Sequence, residues 1–257
     1  MKTKQSSAVA TPWRWSAAVV MAAMPLIAGA AMPASYHGKP VRIGQGLAHT
    51  VVHTDDSGKV ATISIMLDEK VLAGLPDRKL AMSHLLRMPA KGPRSVVNYV
   101  MINWEAHGHP PPGVYDVPHF DFHFYMEKRA DTMKINFKSD AESADPSQQP
   151  AAELLPAGYI LPPGTAVPKM GVHAINTKAP EFNKQPFTAT MIYGYYNKQQ
   201  TFIEPMVALS FLQSKPSFSA PIERPASYSK AGSYPSSYSV TYHPDSKSYE
   251  IALTGFR

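Results

Sequence analysis

The sequence predicts an all-β fold, a single-domain β-sandwich or barrel with a few short helices and a C-terminal hairpin. Three observations carry that expectation. Short stretches of alternating apolar and polar residues recur between turn-forming clusters of Gly, Pro, Asp and Asn. Proline supplies 25 of 257 residues, about twice the usual share of roughly 5%, and each interior proline costs a helix about 3 kcal/mol, which argues against a helical bundle. No hydrophobic break divides the chain between Lys39 and Leu212, so its 28.1 kDa reads as one core.

The first segment is an address rather than an element of the fold. Lys2, Lys4 and Arg14 precede an apolar run from about Ala17 to Ala31, closed by Ala28-Gly29-Ala30-Ala31. That order of basic, apolar and small residues is the layout of a signal peptide over residues 1–31. A membrane anchor needs about 20 apolar residues. This run is shorter, is interrupted by Pro25 and lacks basic residues behind it. There is no Arg-Arg pair, so general secretion is expected, giving a periplasmic or secreted protein with no membrane span after cleavage. Cleavage also changes the charge. The segment holds three of the 25 basic residues and no acid, leaving 22 against 19 and a net charge near +3. Nucleic acid is not an expected partner, because its binding needs a concentrated basic footprint.

The strands follow in order over a domain spanning residues 32–212. Val41-Arg42-Ile43-Gly44 and Ala48-His49-Thr50-Val51-Val52 alternate, and Asp55-Asp56-Ser57-Gly58 turns the chain into a partner strand over residues 60–67. Residues 68–74 read as a short helix with Asp68 as N-cap and Gly74 as terminator. Residues 96–104 form a strand so apolar that both faces are expected to be covered. Phe120-Asp121-Phe122-His123-Phe124-Tyr125-Met126 is the most regular alternation, and residues 138–149 are a polar loop. Further strands are expected over residues 159–161, 188–196 and 201–212, with Asn197-Lys198-Gln199-Gln200 joining the last two. Residues 213–239, rich in Pro, Ser and Tyr, read as an extended strap, and residues 240–257 as a terminal hairpin.

Cysteine is absent, which excludes disulfides, thiolate metal sites and cysteine nucleophiles. Ten histidines are the conspicuous chemical resource, and four of them, His107, His109, His119 and His123, fall within seventeen residues. Side chains alternate along a strand, so His119, Asp121 and His123 share one face while Phe120, Phe122 and Phe124 share the other. Residues two apart are about 6.6 Å apart and residues four apart about 13 Å. With metal–imidazole bonds of about 2.0–2.1 Å, His119 and Asp121, or Asp121 and His123, can meet at one ion, whereas His119 with His123 needs a bend. His107-Gly108-His109 can add one or two ligands, Gly108 permitting close backbone approach. His173, after a Gly/Pro-rich approach to a strand, and Glu204, an isolated acid in an apolar strand, complete the candidates. The other reading is a solvated strand face, and His37, His49, His53, His84 and His243 read as surface or satisfied core groups. Imidazoles with carboxylates and no thiolate suit a divalent transition metal, Zn, Fe, Cu, Ni or Mn. No Gly-x-Ser-x-Gly elbow or phosphate-cradling loop is present.

The string Gly108-His109 followed by Pro111-Pro112-Gly113-Val114-Tyr115-Asp116-Val117-Pro118-His119-Phe120-Asp121-Phe122-His123-Phe124-Tyr125 resembles a family of secreted bacterial proteins of unknown function. Its structural relative is an oligomeric β-rich protein of a thermophile under envelope-stress control. The resemblance continues through Met170-Gly171-Val172-His173, Pro186-Phe187-Thr188, Ile192-Tyr193-Gly194 and Phe202-Ile203-Glu204-Pro205-Met206, covering about residues 41–212. It implies the β fold, export and a homo-oligomer, but no reaction. Pro110 stands where many members carry an acid, and His107 is a local addition able to substitute. A looser likeness to cupins lacks the cupin glutamate spacing. Three functions therefore stay open: an exported metal-binding protein, a cupin-like metal-dependent enzyme on a small molecule, and a structural protein whose strap docks on a partner subunit.

Overall fold

The computed structural model describes Met1 and residues 32–257, so the signal peptide expected over residues 1–31 lies, Met1 apart, outside the described residues. Four strands come first: β1 (Ser35–His37), β2 (Val41–Ile43), β3 (Gly46–Thr54) and β4 (Val60–Asp68). The middle of the chain gives β5 (Met82–Arg87), β6 (Tyr99–Glu105), β7 (His119–Tyr125), β8 (Tyr159–Ile160), β9 (Ala166–Val167), β10 (Gly171–Asn176), β11 (Ala189–Tyr196) and β12 (Gln199–Ala208). The end returns with β13 (Ser217–Pro221), β14 (Ser237–His243) and β15 (Ser248–Thr254).

These strands make two antiparallel sheets. The first runs β1-β3-β4-β15-β14-β13 with β2 also on β3, joining the start of the chain to its end. The second runs β5-β6-β7-β12-β11-β10-β8 with β9 also on β10. Neither closes on itself, so of the two expected architectures the sandwich is the one formed. Among the described residues no helix is long and apolar enough to cross a membrane.

Phe120, Phe122 and Phe124 project from β7 into the space between the sheets, where they join Ile63, Ile65 and Leu253 of the first sheet in one buried cluster. The split of faces expected along residues 119–125 is therefore realised, with the Phe face as core. Turn chemistry sets the hairpins. The Asp55 carboxylate accepts from the Ser57 and Lys59 N–H groups at 2.8 and 3.0 Å, ordering the β3–β4 turn. Asn197 and Lys198 take φ of 46° and 67°, the pair of positive values a two-residue hairpin of right-handed twist requires.

Several boundaries differ from expectation, each for a physical reason. The turn after β4 is a single 3-10 segment, Glu69–Leu72, and Asp68 does not cap it, because its carboxylate accepts the Leu47 N–H at 3.0 Å instead. The strand expected to reach residue 212 stops at Ala208 and gives way to a short helix, α1 (Leu209–Gln213). The loop over residues 138–149 contains a 3-10 turn, Asp140–Ala144. Sequence periodicity offers nothing for β5 or β9, which are held by pairing with β6 and β10. Part of the strap is β13, paired with β14, and the rest packs on its own chain: the Tyr193 hydroxyl donates to the Glu223 carbonyl at 3.0 Å, and the Ser229 N–H to Gln200 Oε1 at 2.9 Å.

Candidate metal centre

Because the Phe face of β7 is core, His119, Asp121 and His123 stand on the outer face of the second sheet. They are not solvated there, with His119 0%, Asp121 3% and His123 1% exposed. A second apolar cluster roofs this face, built from Tyr115, Phe187 and Met206, with Phe182 packed against it. The Tyr115 hydroxyl donates to buried Glu181 at 3.0 Å and fastens the loop between β6 and β7 to the turn Pro180–Asn183. Register supplies the neighbours. Across β6, Glu105 pairs with His119, Asn103 with Asp121 and Met101 with His123; across β12, Met206 pairs with Asp121.

Two further histidines are delivered from outside this row. His109 sits on the loop between β6 and β7, where its N–H donates to the Tyr115 carbonyl at 3.0 Å. Gly108 makes this approach possible: its φ is +67°, and a Cβ there would overlap the Tyr115 carbonyl and the Val117 N–H. His173 lies on β10 opposite Gly194 of β11, and a side chain at Gly194 would collide with the Phe202 ring. The Phe202 ring fills the space over Gly194, and the His173 imidazole stands beside it, ring centroids 5.1 Å apart, with Nε2 turned toward Glu204 on β12.

The result is two groups, each of two imidazoles and a carboxylate: His109, His119 and Asp121, and His123, His173 and Glu204. Within each, one ligand atom per residue lies within 4.8 Å of the others. In the first, His119 Nε2 is 3.1 Å from Asp121 Oδ1 and His109 Nε2 is 3.9 Å from Asp121 Oδ2. In the second, His123 Nε2 is 3.3 Å from Glu204 Oε1 and His173 Nε2 is 4.0 Å from Glu204 Oε2. A tetrahedral ion with bonds of about 2.0–2.1 Å sets its ligands about 3.3 Å apart, the separation these pairs bracket.

Tautomers sharpen the point. Nδ1 faces a backbone carbonyl in His109 (Pro110, 2.8 Å), His119 (Val117, 2.7 Å) and His173 (Thr165, 3.1 Å). A carbonyl only accepts, so Nδ1 carries the hydrogen and, in a neutral ring, Nε2 presents a lone pair to the carboxylate. Two lone pairs facing each other demand a cation between them, either a proton or a metal ion. Carbonyl-anchored Nδ1 is also the outer-shell arrangement that orients metal-binding imidazoles. His119 Nε2, Asp121 Oδ1, Glu204 Oε2 and both ring nitrogens of His123 are buried without a hydrogen-bond partner among the described residues. These orphaned polar atoms fit a metal, because buried polar groups are otherwise costly.

Protons are distributed differently in the two groups. Burial works against charge on Asp121, but the His119 charge and contact, with His109 and His123, hold its carboxyl down at about 2. His119 keeps its proton above the usual range, because Asp121 outweighs the effect of burial. In the second group burial dominates, pushing His123 down to about 3 and His173 to about 4 and raising Glu204 well above the carboxylate range, helped by Asp121 and Glu105. Glu105 is itself raised to about 7 by burial and by Asp121.

These shifts predict the pH dependence of the metal-free protein. Between pH 4.5 and 6.5 the raised Glu204 and Glu105 destabilise the fold as pH rises, and the depressed His123 and His173 stabilise it, so the two pairs offset one another. Above pH 6.5 the two histidines no longer contribute, and stability declines as Glu105, Glu204 and His119 lose protons the unfolded chain has already lost. Below pH 4.5 the unfolded chain binds more protons than His123, His173 and Asp121 do in the fold, and stability falls toward pH 2. Urea titrations across pH in a chelator are expected to show a plateau at about pH 4.5–6.5. A maximum at pH 8 would contradict this distribution of protons.

Both groups open on one cavity of about 480 Å³. His109 and Asp121 of the first line it, as do all three members of the second, while His119 lies behind. His107 joins neither group: its Nε2 is 2.6 Å from Asp77 on the exposed surface, so the two-residue step to His109 separates rather than unites them. Asn103, Glu105 and Tyr115 also line the cavity and were missed by sequence reasoning. The polar residues at positions 103 and 105 of an otherwise apolar strand were the available signal.

Comparison with known proteins gives a match over part of the chain. Residues 55–104 match the model of the TTHB210-like family, described as hypothetical protein TTHB210. The match runs from the β3–β4 turn to the end of β6 and contains none of the six grouped residues. No curated protein and no solved structure matches the chain.

Proposed function

We propose that this protein is an exported metal-binding protein of the TTHB210-like family, acting in the periplasm or outside the cell. Its two His/His/carboxylate groups would each hold a divalent transition metal. The observation that supports the reading is that each group brings two imidazoles to one buried carboxylate, with His119 Nε2 and His123 Nε2 at 3.1 and 3.3 Å from a carboxylate oxygen, the ligand-to-ligand distance of a tetrahedral ion. Two imidazoles and a carboxylate suit Zn, Fe, Cu, Ni or Mn. Metal analysis of the purified protein, before and after chelation and reloading, tests it: one to two equivalents are expected, and none after reloading would overturn it.

Metal uptake is expected to release protons, because Glu204 and His119 hold them in the metal-free protein. Calorimetric titration in two buffers of different ionisation enthalpy reads this as a buffer-dependent heat; equal heats would argue against it.

A second reading, a metal-dependent enzyme acting on a small molecule, is favoured by the cavity. Three protein ligands leave a coordination position open, and the second group presents all three of its members to the cavity. Homo-oligomer formation belongs to the same proposal on the family resemblance.

A further inference from the structure

The cavity beside the two groups has a wall of divided chemistry. The imidazoles and carboxylates line it with Asn103 and Glu105, and Ile192 and Met206 stand directly beside Glu204 and Asp121 in the sheet. Most of the other lining residues are apolar, including Val167, Met170, Ile175, Phe182, Ile192 and Met206. Among the described residues no lysine or arginine lines it, while three carboxylates do: Glu105, Asp121 and Glu204. Its volume of about 480 Å³ lies within the range of roughly 300–1,000 Å³ usual for small-molecule sites.

This composition restricts the occupant. A sugar, nucleotide or extended peptide needs many hydrogen-bond partners, and the apolar wall would leave its polar groups unpaired. An anion finds no cationic side chain, so only a metal held by the site's own ligands would attract it. His123, His173 and Glu204 line the same cavity as these apolar residues, so a fourth position on an ion they held would be open to a ligand in that cavity. We propose that the cavity binds a small amphiphilic monoanion, with an oxygen-donor head such as a carboxylate on the metal and an apolar body against Met170, Ile175 and Phe182. The proposal rests on the metal reading above and adds the chemical class of its ligand.

Co²⁺-loaded protein provides the test, because its visible absorption reports the coordination of the ion. Octanoate, acetate and 1-octanol separate the contributions of head and tail. Each buried methylene strengthens binding about fourfold, so octanoate is expected to bind at least about 100-fold more tightly than acetate even with only part of its chain buried. Octanol is expected to leave the spectrum unchanged. Octanoate binding, followed by calorimetry, is expected to disappear when the metal is chelated. Met170→Gln, which alters the wall and none of the ligands, is expected to reduce octanoate affinity at least about threefold while leaving acetate unaffected. Octanoate and acetate affinities within threefold of each other, or octanoate binding that survives chelation, would overturn the proposal with the metal reading intact. Failure to take up Co²⁺ would overturn both.

Discussion

Glu204→Met is expected to abolish metal binding at the His123/His173 station and yet to raise the melting temperature of the metal-free protein. Glu204 is 1% exposed, its Oε2 has no hydrogen-bond partner among the described residues, and burial holds its carboxyl protonated. A buried, unpaired polar group costs about 1–3 kcal/mol, which a thioether of similar length removes. For a domain of this size each kcal/mol moves the melting temperature by roughly 2–4 °C. Metal reverses the ranking: at a free concentration a hundred times the dissociation constant, binding stabilises the native protein by about 2.7 kcal/mol, and the variant loses that contribution at this station. Calorimetry in chelator and in saturating metal should therefore rank the two proteins in opposite orders. A variant less stable in chelator would show that Glu204 is a structural carboxyl rather than a ligand kept at a cost.

Phe122→Ala is expected to cost about 3–5 kcal/mol, read from urea denaturation with an unchanged slope. Phe122 is fully buried between the sheets, in one cluster with Ile63, Ile65 and Leu253, and truncation leaves a cavity that two paired sheets cannot collapse to fill. The contrast with Glu204→Met separates the two faces of the second sheet. Its inner face holds the sandwich together, and its outer face carries groups whose burial opposes stability. A loss below 1 kcal/mol for Phe122→Ala would contradict the assignment of that face to the core.

Much of this was legible locally. The alternation from His119 to Tyr125 placed imidazoles and phenyl rings on opposite faces, and a strand spacing of two allowed His119 to share an ion with Asp121. Gly108 was readable as a point of close approach, and the structure puts the Tyr115 carbonyl there. Illegible were the features set by distant partners. β5 and β9 have no pattern of their own, since pairing with β6 and β10 holds them. Asp68 looked like a helix cap because the Leu47 N–H that takes its carboxylate is far away in sequence. Residues 213–239 read only as an extended strap, because nothing within them announces the pairing of Ser217–Pro221 with β14.

The class of fold, the two faces of β7 and the stock of ligands follow from strand periodicity, proline content and the lack of cysteine, all local or compositional properties. How those ligands are shared depends on which strands lie side by side. His123 faces Glu204 rather than His119 because β12 lies beside β7, and His173 reaches the same carboxylate beside the Phe202 ring, which lies over Gly194 of β11. His107, two residues from a grouped histidine, is turned away to Asp77. Register between strands distant in sequence fixes which side chains converge, and no local spacing encodes that register.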